Sequence, residues 1–128
     1  MAIGKSEDIA PEMVVHRVGG RNIANLRLSR LEQKLTPPGI SLLLGGTPQG
    51  AVTQMRQAFP NSRKWQDSAH AVGTTTAAAI RQAGFELVPD PTGRFPNHAR
   101  LIHPSGVAGF TDANLEQLAR VFHDTEGC

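Results

Sequence analysis

The apolar positions of this chain fall into short runs cut by glycine and proline. Residues 13–18 (MVVHRV) are mostly β-branched and end at Gly19-Gly20, which predicts a strand with a turn behind it. Residues 25–28 read as a second, short strand. Ser29 and Glu32 stand at capping-box spacing, so a short helix is expected over residues 30–35, and Pro37-Pro38-Gly39 must end it. Residues 40–44 (ISLLL) read as a buried strand closing at Gly45-Gly46.

Thr47-Pro48 then offers an N-cap hydroxyl and a proline at the first helical position. Ala51, Val52, Met55, Ala58 and Phe59 recur behind it at helical spacing until Pro60 stops the helix. A further helix is expected over residues 63–72, with Trp65, Ala69 and Val72 inward, and another over residues 74–83, from a threonine run to the terminator Gly84. Residues 85–88 (FELV) and 98–103 (HARLIH) read as strands, separated by a turn or loop at Asp90-Pro91-Thr92-Gly93. Thr111 caps a final helix whose apolar face is Leu115, Leu118, Ala119 and Phe122. About four strands and three or four helices in mixed order predict an α+β fold, a single layer of mainly antiparallel sheet with helices packed on one face. Residues 1–11 show no period and read as a flexible N-terminal arm, ahead of one globular domain over residues 12–128.

Composition narrows the function classes. At 39% hydrophobic and 19% charged, the 128 residues suit one ordinary core and not a disordered chain. The longest apolar run, Leu42-Leu43-Leu44, is far below the roughly 20 residues of a spanning helix, so no membrane partner is expected. No charged-then-apolar leader opens the chain, and the lone Cys128 builds no disulfide framework. Both features fit a cytoplasmic protein, or one delivered into a target cytoplasm without such a leader. Thirteen Lys and Arg against eleven Asp and Glu give a net charge of only +2, but ten of the thirteen are arginines, whose forks match phosphate. Arg17, Arg21, Arg27, Arg30 and Lys34 face only Glu32 in their stretch, whereas Asp112, Glu116, Asp124 and Glu126 face only Arg120. One end thus suits an anion and the other water, or both are ordinary solvated surfaces.

The familiar phosphate, dinucleotide and zinc-protease motifs do not occur. The five histidines (His16, His70, His98, His103, His123) show no metal-ligand spacing, so neither a metal nor another cofactor is implied. The segment richest in chemistry is residues 94–106 (RFPNHARLIHPSG). On a strand His98 and Arg100 share a face. A histidine shuttles protons near neutral pH, and an arginine beside it holds phosphate oxygens. Arg94 and Asn97 lead into that strand, and Arg17 and Arg21 extend a basic surface for substrate. The plainer reading has His98 bonded to a loop carbonyl and Arg100 exposed on the sheet. His16, sharing a face with Val14 and Val18, reads as a satisfied, half-buried histidine. With no tyrosine, one tryptophan and the five phenylalanines mostly on core faces or after turns, no base-stacking platform is legible.

The stretch from Thr76 to Phe122, with AIRQAGFELV, then NHARLIHPSG, then LEQLARVF, resembles the HicA-type bacterial mRNA interferase toxins. That resemblance implies an α-β-β-β-α core and a catalytic histidine matching His98, although this chain has Pro96-Asn97-His98 where the family has Gly-Ser-His. His16 in a first strand followed by GISLLLGGTPQGAVTQM is similar to the opening of small ADP-ribosyltransferase toxins, which implies NAD as substrate and a catalytic glutamate; Glu86 and Glu116 are the later candidates. The leading expectation is a bacterial toxin-like or effector domain that cleaves RNA without a metal, with His98 as acid or base and Arg100 as phosphate clamp. The alternatives are a non-catalytic module that binds an acidic protein, such as a cognate antitoxin or immunity partner, and an NAD-dependent transferase.

Overall fold

The structure is a computed structural model describing residues 4–128, and the first three residues of the expected arm lie outside it. Its described residues hold six strands: β1 (Val14–Val18), β2 (Gly39–Leu44), β3 (Val72–Thr76), β4 (Glu86–Pro89), β5 (His98–Ile102) and β6 (His123–Thr125). They form one sheet in the order β4-β5-β2-β1-β3-β6, antiparallel at every pairing. Six helices join them: α1 (Ile23–Leu26), α2 (Arg30–Gln33), α3 (Pro48–Ala58), α4 (Arg63–Gln66), α5 (Ala77–Gln82) and α6 (Asp112–Arg120). The α+β class expected from the pattern is the class observed. None of these helices is long and apolar enough to cross a membrane.

The capping signals act where the sequence places them. Thr47, Thr76 and Thr111 accept hydrogen bonds from the backbone N–H groups of Gly50, Ala79 and Asn114, and Ser29 and Glu32 close a capping box on α2. Three local expectations are corrected. Residues 25–28 are not a strand: Asn22 accepts from the Asn25 N–H and starts α1. The helix expected over residues 63–72 stops at Gln66, and Val72 opens β3. The threonine run is strand, not helix, because β-branched side chains lose rotamer freedom in a helix and pack well on a pleated sheet. Thr74, Thr75 and Thr76 pair with His16, Val15 and Val14 before Thr76 caps α5. Within the expected arm, Ile9 is buried and the Gly4 N–H donates to the Pro89 carbonyl.

Helices cover both faces of the sheet instead of one. The first face carries Val15, Ile40, Leu42, Leu87 and Leu101 beneath Leu26 of α1, Ile80 of α5, and Leu115 and Leu118 of α6. Fully burying each such aliphatic side chain contributes about 2 kcal/mol, so this cluster dominates stability. The second face carries Leu43 and Val72 beneath Ala51 and Val52 of α3, with Cys128 against them.

One irregularity positions the site. β2 pairs with β5 along nearly all of its length, from Gly39 up to Leu43, and β1 pairs with β3 along its whole length. Yet β1 and β2 pair only at Val15–Leu44 and His16–Leu43. Beyond those two positions the centre of the sheet opens.

Candidate functional site

The opening is occupied by the side chain of Arg17. Its Nε donates to the Asn25 carbonyl at 3.0 Å and its Nη1 to the Ser41 carbonyl at 2.9 Å, while Nη2 also reaches Asn25 O. One arginine of β1 therefore ties the end of α1, through the Asn25 carbonyl, to the parted strand β2, through the Ser41 carbonyl. No carboxylate comes within ion-pair distance of it among the described residues. Burial pushes its guanidinium below the usual arginine range, and the more distant charge of Glu32 offsets part of that effect. Asn25 holds the bridge: its side-chain amide donates to the Val18 and Gly20 carbonyls. Gly19, at φ 104°, is the residue this turn requires, since a β-carbon there would meet the Asn25 amide within 3 Å.

Over the opening lies a cavity of about 430 Å3, within the span of about 300–1,000 Å3 usual for small-molecule sites. Its floor includes His16, Leu43 and His98, which stand side by side on β1, β2 and β5. Arg17, Val18, Asn25 and Ser41 line the open seam. Met55 and Phe59 of α3, Lys64 and Trp65 of α4, and Thr92 and Phe95 of the β4–β5 loop form the walls. Phe59, Trp65 and Phe95 are all half-buried here. Five phenylalanines and one tryptophan make six aromatic side chains, so half of them gather at one cavity. Phe85 and Phe122 are buried in the core and Phe110 packs against it, as expected, whereas Phe59 and Phe95 join Trp65 at the cavity. Phe59 and Phe95 follow helix-end and loop signals, a local hint that only the tertiary fold converts into a shared wall.

The two floor histidines differ. His16 is 1% exposed, with Nδ1 at 2.9 Å from Thr74 Oγ1 and Nε2 at 3.1 Å from the Gly46 carbonyl. The carbonyl only accepts, so Nε2 carries the proton and Nδ1 accepts from the threonine hydroxyl. Both ring nitrogens are satisfied, as the sequence reading expected, although the burial is complete and not half. His98 is bonded on one side alone. Its Nδ1–H donates to the Asp90 carbonyl at 2.8 Å and lies 3.5 Å from Asp90 Oδ2. Its Nε2 makes no hydrogen bond among the described residues and is left as an acceptor at the cavity.

Asp90 was read as part of a turn, and its role here is legible only in the structure. Its Oδ2 accepts from Arg100 Nη2 at 2.9 Å, and Arg100 Nη1 donates to the Pro37 carbonyl at 2.8 Å. Arg100 does share its face with His98, as strand periodicity predicts, but it is buried and does not line the cavity. The expected phosphate clamp is thus turned inward, onto the residue that fixes His98. Gly39 makes room for it: a β-carbon there would collide with the Leu101 carbonyl and the stem of Arg100.

Of the expected substrate contacts, only Arg17 lines the cavity. Arg94 lies outside it, over the Phe59 ring at 5.4 Å, and donates to the Ala58 carbonyl. Asn97 is structural, exchanging amide hydrogen bonds with Gln54 and donating to the Leu44 carbonyl. Arg21 turns toward β6 and α6, with its N–H on Asp124 and its guanidinium on the Ala119 carbonyl. Arg27 pairs with Asp112, so the basic stretch of the sequence is dispersed by the fold and is not one surface. Among the described residues no three His, Cys, Asp or Glu side chains converge to hold a metal. No protein-family model, no curated protein and no solved structure matches this chain.

Proposed function

We propose that this domain is a toxin-like or effector enzyme that cleaves RNA without a metal, at an unpaired nucleotide held in the cavity between β1, β2, α3 and α4. The observation that carries the reading is His98: an imidazole tied at Nδ1 to Asp90, open at Nε2, and set in the floor of a cavity with aromatic and cationic sides. A general base needs a free acceptor nitrogen and a partner that fixes its tautomer, and Asp90 supplies the second.

The chemistry balances with these groups. His98 Nε2 takes the proton of a ribose 2′-hydroxyl, the 2′-oxygen forms a bond to phosphorus, and the bond to the 5′-oxygen breaks. The leaving 5′-oxygen takes a proton from solvent. The products are a 2′,3′-cyclic phosphate and a 5′-hydroxyl. Arg100 acts through Asp90 as a positioning residue.

A second reading, NAD-dependent transfer, would use the same cavity, whose aromatic walls suit a dinucleotide equally. It is the weaker one, because a glycosyl cation needs a carboxylate beside it and none lines the cavity among the described residues. Glu86 is engaged by Arg81 on the outer strand β4, and Glu116 is exposed on α6.

The test is an RNA oligonucleotide cut at one mapped position, compared with the same oligonucleotide carrying a 2′-deoxyribose on the 5′ side of that bond. Loss of cleavage at the modified position is expected. Cleavage through it would overturn the 2′-hydroxyl mechanism.

A further inference from the structure

We infer that the cavity is a subsite for one nucleoside monophosphate unit, with its phosphate on Arg17 and its base against the wall of Phe59, Trp65 and Phe95. The inference rests on the nucleotide reading of the same site and deepens it by naming which end of the ligand meets which side chain.

The first argument is charge. A guanidinium has five N–H donors, and Arg17 uses three of them on two carbonyls. Two N–H groups and a full positive charge remain, half-buried at the cavity with no carboxylate partner among the described residues. Buried charges are ordinarily paired, and an anion delivered by a ligand completes this one. Planar forks prefer phosphate or carboxylate, which two parallel hydrogen bonds can engage.

The second argument is independent of the first. Three half-buried aromatic rings from α3, α4 and the β4–β5 loop converge on the space that Arg17 borders. The Phe59 and Phe95 rings lie 6.3 Å apart and tilted by 40°, an open wedge and not a closed stack. Lys64 Nζ sits over the Trp65 ring at 4.8 Å, an exposed cation at the mouth of the same cavity. A ligand with a flat ring at one end and an anion at the other satisfies both halves. Inorganic phosphate alone satisfies one half, and a nucleoside alone satisfies the other. Base–aromatic contact is tolerant of sequence, so discrimination comes from the phosphate.

Trp65 is the single tryptophan and reports directly on occupancy. Its fluorescence is titrated with adenosine 3′-monophosphate, with adenosine and with inorganic phosphate. The monophosphate should change the emission saturably, with a Kd at least tenfold below that of adenosine. Phosphate alone should leave the emission nearly unchanged but compete with the monophosphate. In Arg17→Lys the tenfold preference should vanish while the response to adenosine persists; if that variant does not fold, the comparison of ligands on the natural protein decides by itself. Equal affinity for adenosine and its monophosphate overturns the assignment of Arg17, and no emission change at millimolar nucleotide overturns the subsite. A monophosphate that binds to a protein that cleaves no RNA removes the ribonuclease reading and leaves the subsite standing. RNA cleavage without monophosphate binding does the reverse.

Discussion

Asp90 Oδ2 and Arg100 Nη2 meet at 2.9 Å, and both side chains are largely withdrawn from solvent, at 15% and 11% exposure. The pair spans the start of the β4–β5 loop and the middle of β5, directly behind the ring of His98. Removing one member of a buried ion pair leaves the other charged and unpaired, which costs about 3 kcal/mol or more. Asp90→Ala is therefore expected to lower the unfolding free energy by about that much in a denaturant titration. Asp90→Ala/Arg100→Met should lose less than the two single variants summed, since the double variant strands no charge. Additive losses would show that the two side chains act independently.

Asn25 carries more than its exposure suggests. Its amide braces the Val18 and Gly20 carbonyls, and its own carbonyl takes two bonds from Arg17. Asn25→Ala should cost about 1–3 kcal/mol, the usual consequence of leaving partly buried polar groups unsatisfied. It should also loosen Arg17 and weaken the binding of nucleotide phosphates. Unchanged stability and unchanged binding together would contradict the bridging role.

Gly39 is the third point of sensitivity. Its φ is not in the left-handed region, so the constraint is space. A β-carbon would press on the Leu101 backbone and on Arg100, and backbone yields less readily than a flexible side chain. Gly39→Ala should destabilise the domain by about 2 kcal/mol, as overpacked sites do. Thermal denaturation checks this, and an unshifted Tm would show that β2 and β5 adjust freely.

The sequence made the strongly periodic elements legible. ISLLL, most of FELV and HARLI are strands, and Thr47-Pro48 and Thr111 start helices, because caps and short apolar runs act within a few residues. β3 was hidden since Val72 reads as the end of one helix and the threonines, followed by AAAI, as the start of the next, and only pairing with β1 separates the threonines from the alanines. β6 is three polar-leaning residues with no period, and it exists because β3 offers an edge to it. At the site, periodicity correctly put His98 and Arg100 on one face. It did not show that Asp90 turns Arg100 inward, nor that β1 and β2 part to receive Arg17. Those are non-local consequences of register, and spacing along the chain carries no signal for them.

The most direct measurement incubates end-labelled RNA with the purified protein in EDTA, beside a His98→Ala variant whose circular dichroism and Tm match the natural protein. The account predicts fragments ending in 2′,3′-cyclic phosphate with the natural protein, and at least a hundredfold less cleavage with the variant. Intact RNA in both reactions at high protein concentration, or equal cleavage in both, would contradict it.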